Sequence, residues 1–129
     1  MRALVLEQFG GPFVPKDVPT PVIAPHEALV RVRNVGVCGT DVKIRANRMG
    51  LGVIPLIMGH EISGEVAEVG REVRGFAPGD RVIVNFYVTC GRCQFCRVGR
   101  DTLCAEMRQH GFSIDGGFAE YLKTPGVNL

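Results

Sequence analysis

The sequence predicts a fold made mainly of β-strands. Its 129 residues include 17 glycines and eight prolines, a turn-rich composition that argues against a helical bundle. Short apolar runs are separated by these turn residues, and the stretch Glu27–Val37 alternates apolar and polar side chains as a half-buried strand does. Several short strands joined by tight turns are typical of a β-barrel. The length suits one domain, residues 1–129, with its own core.

The same patterns place the individual elements. Strands are predicted over Met1–Glu7, Glu27–Val37, Ile62–Val69, Arg81–Val84 and Phe118–Lys123. The stretch Phe13–Pro25 contains four prolines, so it is predicted to be extended or to lie at a sheet edge. Thr40 or Asp41 can cap a short helical turn that ends near Arg45. Residues 47–55 and 111–117 are predicted loops.

Charge and hydropathy exclude several classes of protein. The net charge is +2 with both signs interspersed, which gives no support for a nucleic-acid partner. No apolar run approaches the ~20 residues of a membrane span, and the apolar N-terminal run is cut by charge before it reaches the length of a signal peptide's apolar region. We therefore expect a soluble, cytoplasmic protein that does not bind membranes.

The strongest spacing signal is a cluster of four cysteines within residues 89–106. These are Cys90, Cys93, Cys96 and Cys104, in the spacing C-x2-C-x2-C-x7-C. Four thiolates complete a tetrahedral zinc site and leave no position for water, so the pattern predicts a structural zinc lobe. Disulfides, free buried thiols and a zinc ribbon that binds nucleic acid are the alternatives. Ribbons usually show two separated cysteine pairs rather than three cysteines and a fourth.

A second set of possible metal ligands lies elsewhere in the chain. His60 and Glu61 follow Gly59 at the start of a predicted strand, and Cys38 follows the strand predicted before them. Imidazole, carboxylate and thiolate are all zinc ligands. These three residues predict a metal site with one position open to another molecule.

The segment Gly59–Val73 has the pattern G-H-E-x2-G-x5-G-x2-V. This pattern resembles the zinc-site motif of the zinc-dependent alcohol dehydrogenases in the medium-chain dehydrogenase/reductase superfamily. The four cysteines match the structural-zinc lobe of many members. The resemblance implies a GroES-like β-barrel with short helices, catalytic and structural zinc, and NAD or NADP as cofactor. It also implies oxidation of a small alcohol, polyol or threonine by a homo-oligomeric enzyme.

The resemblance also implies roles for single residues. Cys38 and His60 would be catalytic zinc ligands, and Asp41 would orient the histidine through its second ring nitrogen. Glu61 would bind zinc in polyol- and threonine-dehydrogenase-like branches. In other branches it would lie behind the metal, with a later cysteine as third ligand. Thr40 would be the hydroxyl of the proton relay.

Lys43 departs from the family pattern, because many relatives have a histidine there to carry the proton to solvent. A lysine is a poor proton shuttle near neutral pH unless it is buried. The relay beyond Thr40 is therefore open between the cofactor ribose, water and a shifted Lys43. His26 and His110 lie in no motif, and we interpret both as ordinary loop histidines.

The resemblance covers all 129 residues but only the catalytic half of the family. No G-x-G-x-x-G segment of a Rossmann cofactor domain is present in this sequence. We therefore expect a truncated product or an excised domain that holds zinc but is inactive by itself. The alternative function is a non-enzymatic GroES-like zinc-binding interaction module. A zinc-free quinone or enoyl reductase of the same superfamily is disfavoured by the retained cysteines and His60.

Overall fold

The computed structural model describes residues 1–129, and most of its regular structure is β-strand. The strands are β1 (Arg2–Leu6), β2 (Phe13–Asp17), β3 (Glu27–Gly36), β4 (Leu56–Ile57), β5 (Glu61–Val69), β6 (Arg81–Val84), β7 (Tyr87–Val88), β8 (Arg108–Gln109) and β9 (Tyr121–Pro125). One α-helix, α1 (Gly39–Arg45), and 3-10 turns at Cys96–Val98, Asp101–Leu103 and Gly126–Asn128 complete the regular structure. None of the helices is long and apolar enough to cross a membrane.

The strands form three sheets in which every neighbouring pair is antiparallel. Their orders are β2-β1-β4, β6-β5-β3-β9 and β7-β8. The mainly-β prediction is thus confirmed. The hydrogen-bonded ladders form three sheets, and an isolated bridge between Ala3 and Ala119 joins β1 to the segment before β9.

The longest strand, β3, lies in the middle of the largest sheet and pairs with both β5 and β9. At the end of β5, a side chain at Gly70 would lie 2.3 Å from the carbonyl oxygen of Pro25. Only glycine allows the chain to pass that closely. In β2, at the sheet edge, Pro15 takes a position whose missing N–H costs no ladder hydrogen bond.

The last strand begins three residues later than the sequence predicts. Residues 116–120 run between two sheets instead of along one. The amides of Gly116, Gly117 and Phe118 donate to the carbonyl oxygens of Ile57, Gly59 and Met58, and the Glu120 amide donates to Arg2 in β1. The contact with the large sheet comes from the Val32 amide of β3, which donates to the Glu120 carbonyl oxygen. Ladder pairing with β3 starts only at Tyr121. An alternating pattern does not distinguish a strand from such a crossing segment, which explains the error.

Two apolar clusters form most of the core. The first fills the inner face of the large sheet and contains Val30, Ile62, Val66, Val82, Val84 and Leu122. The second contains Leu6, Ile44, Leu56, Met58 and Phe112 and supports α1. Each fully buried side chain of this size contributes roughly 1.5–3 kcal/mol to folding. A third, smaller cluster contains Ala3, Val5 and Ile57. None of the three apolar clusters has a member from residues 89–106, so the cysteine lobe lacks an apolar core as predicted.

Candidate metal centres

The four cysteines of the lobe converge on one point. Their sulfur atoms all lie within 4.8 Å of one another. The Cys93 and Cys96 sulfurs are 3.5 Å apart, and those of Cys90 and Cys96 are 3.9 Å apart. Ligands of a tetrahedral zinc with bonds of about 2.3 Å lie about 3.8 Å from each other. The donor set and its spacing therefore fit a zinc ion.

Backbone hydrogen bonds position these sulfurs, and one ion pair links the two ends of the lobe. The amides of Cys93 and Cys96 donate to the sulfurs of Cys90 and Cys93, at 3.4 and 3.5 Å. Arg92 and Glu106 form an exposed ion pair of 2.8 Å between the first and last turns of the lobe. All five cysteines of the chain are free thiols, so the disulfide alternative receives no support from the structure.

The electrostatics of the lobe favour a bound cation. Hydrogen bonds from the backbone amides of Arg92 and Cys93 lower the pKa of Cys90 to about 6. Desolvation, with hydrogen bonding to Cys93, raises the pKa of Cys96 to about 12. Neighbouring thiols cannot all ionise without a positive charge between them. A divalent cation at their centre removes this conflict, because it stabilises every thiolate at once.

The second centre is assembled from residues far apart in the chain. β3 and β5 pair so that Gly36 lies opposite Glu61. Cys38 follows β3 and His60 precedes β5, and the pairing brings the Cys38 sulfur within 3.3 Å of His60 Nε2. Sulfur and nitrogen ligands of one tetrahedral zinc would lie about 3.6 Å apart. The two predicted ligands therefore meet at a distance suited to a shared metal.

The cap of α1 differs from the sequence prediction. The N-cap is Cys38, not Thr40 or Asp41, and its sulfur accepts a hydrogen bond from the Thr40 amide at 3.3 Å. Asp41 reaches back to accept from the Cys38 amide at 2.9 Å, which completes a capping box. The prediction missed this because cysteine is not among the usual N-cap residues. The box locks the Cys38 sulfur at the start of the helix.

Asp41 and His60 are also buried next to each other. The side chains are 3% and 8% exposed, and Asp41 Oδ1 lies 3.3 Å from His60 Nδ1. Neither of these two atoms has a hydrogen bond of good geometry. A carboxylate beside Nδ1 favours the tautomer with the proton there, and that leaves the Nε2 lone pair facing the Cys38 sulfur. The chemistry of this donor set fits a divalent metal at Nε2.

Two phenylalanines form the walls of this centre. The ring centroids of Phe112 and Phe86 lie 4.9 and 5.3 Å from that of His60, and the two phenyl rings stack on each other at 5.7 Å. Sequence reasoning missed both residues. No short-range pattern could have found them, because they approach His60 only through the folding of two distant loops. Their apolar surface limits the water that reaches one side of the imidazole.

The remaining predicted site residues lie nearby without joining the donor set. Glu61 is exposed and its carboxylate lies against Gly36, where an added Cβ would be 2.1 Å from Glu61 Oε2. It is not in the group of three possible ligands formed by Cys38, Asp41 and His60. Thr40 is half-buried in the first turn of α1, and Lys43 is exposed one turn later.

An apolar recess adjoins this centre. It has a volume of about 250 Å³ and is lined by Leu4, Phe13, Val37, Asp41, Val42, Arg45 and Phe118. Val37 and Val42 are 74% and 63% exposed. Asp41 is the one residue that lines this recess and also belongs to the Cys38, Asp41 and His60 group.

The fold and the two centres define a class of protein. Residues 24–129 match the family model described as the alcohol dehydrogenase GroES-like domain. The chain belongs to this family.

Individual proteins similar to this chain are dehydrogenases by name. It is 40% identical over 133 aligned positions to the NAD-dependent alcohol dehydrogenase of Sulfurisphaera tokodaii, covering 97% of this chain and 38% of that protein. It is 44% identical over 116 positions to the L-threonine 3-dehydrogenase of Shewanella frigidimarina, covering 87% of this chain and 34% of that one. The crystal structure of galactitol-1-phosphate dehydrogenase from Escherichia coli superposes with a TM-score of 0.92 at 31% identity, over 99% of this chain and 37% of that one. This chain thus spans little more than a third of the proteins it matches.

Proposed function

We propose that this chain is the metal-binding catalytic domain of a zinc- and NAD(P)-dependent dehydrogenase that oxidises a small alcohol. The observation that carries the proposal is the 3.3 Å approach of the Cys38 sulfur to His60 Nε2 beside the buried carboxylate of Asp41. The relatives act on alcohols and on threonine according to their names. Free thiols at all five cysteines fit a reducing compartment, and we place the protein in the cytoplasm.

Cys38 and His60 would hold the catalytic zinc in this proposal. Zinc supplies a Lewis acid that lowers the pKa of an alcohol oxygen, and a nicotinamide accepts the hydride. The Asp41 carboxylate, 3.3 Å from His60 Nδ1, would favour a proton on that nitrogen and so leave Nε2 free for the metal. Glu61 would have to swing away from Gly36 to become a third ligand, because in its observed position the carboxylate lies against Gly36.

Thr40 would receive the substrate's proton at its hydroxyl. It lies two residues after Cys38 in the first turn of α1, so its side chain starts close to the metal centre. Lys43 is three positions further along the helix, and such positions are neighbours on a helix surface. The exposed ammonium of Lys43 could therefore order the water that carries the proton from Thr40 to solvent.

The four-cysteine lobe would hold a structural zinc. Its four sulfurs lie within 4.8 Å of one another, and four thiolates on a tetrahedral zinc would leave no ligand position for substrate. The zinc would replace the apolar core that residues 89–106 lack. Arg92, Arg97 and Arg100 are exposed around the lobe and would balance the net negative charge of a four-thiolate centre.

Metal analysis tests the two-site proposal. We expect the reduced protein to bind two zinc ions per chain, and Cys38→Ser or Cys93→Ser to bind one each. Spectroscopy of the cobalt-substituted protein should show a mixed sulfur–nitrogen site that Cys38→Ser removes and Cys93→Ser retains. One zinc in the wild type, unchanged by Cys38→Ser, would contradict the catalytic site.

A chimaera tests the dehydrogenase activity. In this chimaera, residues 1–129 would replace the matched part of the Sulfurisphaera tokodaii alcohol dehydrogenase, and the remainder of that enzyme would be kept. We expect NAD-dependent oxidation of an alcohol, and its loss in the Cys38→Ser chimaera. A folded chimaera that binds two zinc ions but shows no turnover would argue for a binding module instead of an enzyme.

A further inference from the structure

His110 belongs to neither metal centre, yet its residue exposure of 3% is lower than the 7% of His60. Its ring lies between two partners: Nδ1 is 2.8 Å from the carbonyl oxygen of Asp115, and Nε2 is 3.1 Å from the hydroxyl of Thr124. Thr124 itself is completely buried. A histidine with both nitrogens paired in the interior is unlike the loop histidine that the sequence suggests.

The partners determine the form of the ring. A carbonyl oxygen only accepts hydrogen bonds, so Nδ1 of His110 must carry the proton. In the neutral imidazole Nε2 is then an acceptor, and the Thr124 hydroxyl donates to it. Burial lowers the pKa of His110, in agreement with a neutral ring. One tautomer of His110 therefore links residue 115 to strand β9.

This link fastens the loop that passes beneath His60. The Asp115 carboxylate accepts from the Ile57 amide at 3.0 Å, while Gly116 and Gly117 donate to the carbonyls of Ile57 and Gly59 at 2.7 and 2.8 Å. Gly59 is the residue just before His60. At Gly116 an added Cβ would lie 2.2 Å from the Gly59 oxygen, so the two backbones are in close contact. The backbone that carries His60 rests on the loop that His110 closes.

Both aromatic walls of His60 also depend on this link. Phe112 is two residues after His110 and lies 4.9 Å from the His60 ring. The His110 amide donates to the carbonyl oxygen of Phe86, the other wall, at 3.0 Å. Releasing the His110 ring would free residues 110–115 and, with them, the packing that fixes the imidazole of His60.

We infer that His110 is a positioning residue: through Asp115, Phe86 and Phe112 it holds the His60 ring in the orientation that presents Nε2 to Cys38. The inference deepens the proposed function, because it takes His60 to be a metal ligand. It does not require substrate or cofactor, and the orientation of His60 can be observed without metal at that centre.

Two substitutions separate the effect of the His110 hydrogen bonds from the effect of its ring size. His110→Phe keeps a flat ring and removes both hydrogen bonds. His110→Asn keeps a donor near the position of Nδ1, within reach of the Asp115 carbonyl. The matched control is His26→Asn, since His26 is exposed and bonded to neither centre. All variants would be prepared with one equivalent of zinc, which is expected to fill the four-cysteine lobe first.

Imidazole NMR of the three histidines is the first measurement. We expect His110 in the Nδ1–H tautomer and His60 as a single set of signals in the wild type. His110→Phe should broaden or split the His60 signals, His110→Asn should largely restore them, and His26→Asn should leave them unchanged. Unaltered His60 signals in folded His110→Phe overturn the inference.

Cobalt(II) titration at the Cys38 centre is the second measurement. We expect His110→Phe to weaken binding about 10–100-fold, as loss of a residue that orients a ligand typically does. His110→Asn should weaken it no more than about 3-fold. If the wild type binds no cobalt at Cys38 while the His60 signals still respond to His110→Phe, the proposed function fails and the positioning role stands.

Should His110→Phe not fold, Thr124→Val provides a further test. It removes the hydroxyl that donates to Nε2 at nearly constant volume, so the Nε2 signal of His110 should shift toward that of a nitrogen without a hydrogen bond, while Nδ1 keeps its proton on the Asp115 carbonyl. An unchanged His110 spectrum in Thr124→Val would contradict the hydrogen-bond assignment on which the inference depends.

Discussion

The two candidate metal centres are built in opposite ways. The lobe collects four sulfurs from 15 consecutive positions, and it contributes nothing to the apolar clusters. The Cys38–His60 centre joins residues 22 positions apart at the ends of two paired strands, beside the buried ring of Phe112 and the half-buried ring of Phe86. In the first, a metal would hold the chain in place. In the second, the folded chain holds the ligands in place, and a ligand position can stay open for chemistry.

The largest expected effect is on the lobe. Cys93→Ser or Cys104→Ser should abolish zinc binding there, and structural zinc contributes on the order of 10–16 kcal/mol of apparent binding energy in small zinc domains. Because no apolar cluster includes residues 89–106, we expect local unfolding of the lobe alone. Hydrogen exchange and trypsin cleavage at Arg92, Arg97 and Arg100 would show it.

Cys38→Ser is the matched control, and it should leave protection of the lobe unchanged. Cooperative loss of the whole fold on Cys93→Ser would mean that the two regions are not independent, contrary to the comparison.

Substitutions of Asp41 should distinguish its role as a helix cap from its role in orienting His60 at the second centre. Asp41→Ala removes the acceptor for the Cys38 amide, so unfolding should become easier by about 1 kcal/mol. Zinc affinity at Cys38 and His60 should fall about 10–100-fold. Asp41→Asn keeps an oxygen acceptor but not the charge beside His60, and should recover stability without recovering affinity.

Urea denaturation and competition with a zinc-binding dye give the two quantities. Equal affinity in Asp41→Asn and the wild type would show that the carboxylate's charge does not matter to the metal ligand.

The stability of the folded chain should depend on pH through His110, which closes the loop behind the second centre. Its pKa lies below the ordinary value of 6.5, chiefly because of burial, with Arg108 lowering it and Asp115 and Glu27 raising it. Below about pH 6.5 the unfolded chain therefore binds a proton that the folded ring does not, and stability falls as pH falls, by at most about 1.4 kcal/mol per unit. Above that pH the contribution is constant.

Denaturation from pH 5 to 8 gives the free energy of unfolding of the wild type and of His110→Asn. The difference between the two isolates the contribution of His110 to the pH dependence. A difference that does not vary with pH would show that His110 is protonated equally in both states.

The smallest effect is expected at Glu61. Its exposed carboxylate lies against Gly36 and outside the group formed by Cys38, Asp41 and His60. Glu61→Gln should therefore retain two zinc ions, with affinity at the second centre changed less than about 3-fold. A large loss of zinc on this substitution would indicate that Glu61 swings in as a ligand and would revise the second centre.

Much of the architecture was predictable from periodicity. The alternation in Glu27–Val37 gave β3 within one residue, and the apolar runs gave β1, β5 and β6. The errors occur where tertiary contacts decide the local conformation. Residues 118–120 alternate like a strand but cross between two sheets, and Cys38 caps α1 because Asp41 can reach back to its amide.

The sequence by itself indicated the four-cysteine lobe, because three of the cysteines are three residues apart and the fourth follows eight residues later, close enough in the chain for local turns to bring them together. It also indicated Cys38 and His60 as a pair. Only the tertiary structure decided how that pair is arranged: the register of β3 and β5 sets its spacing, and the loop closed by His110 supplies its walls. Register and loop packing depend on contacts between distant parts of the chain, which no local spacing encodes.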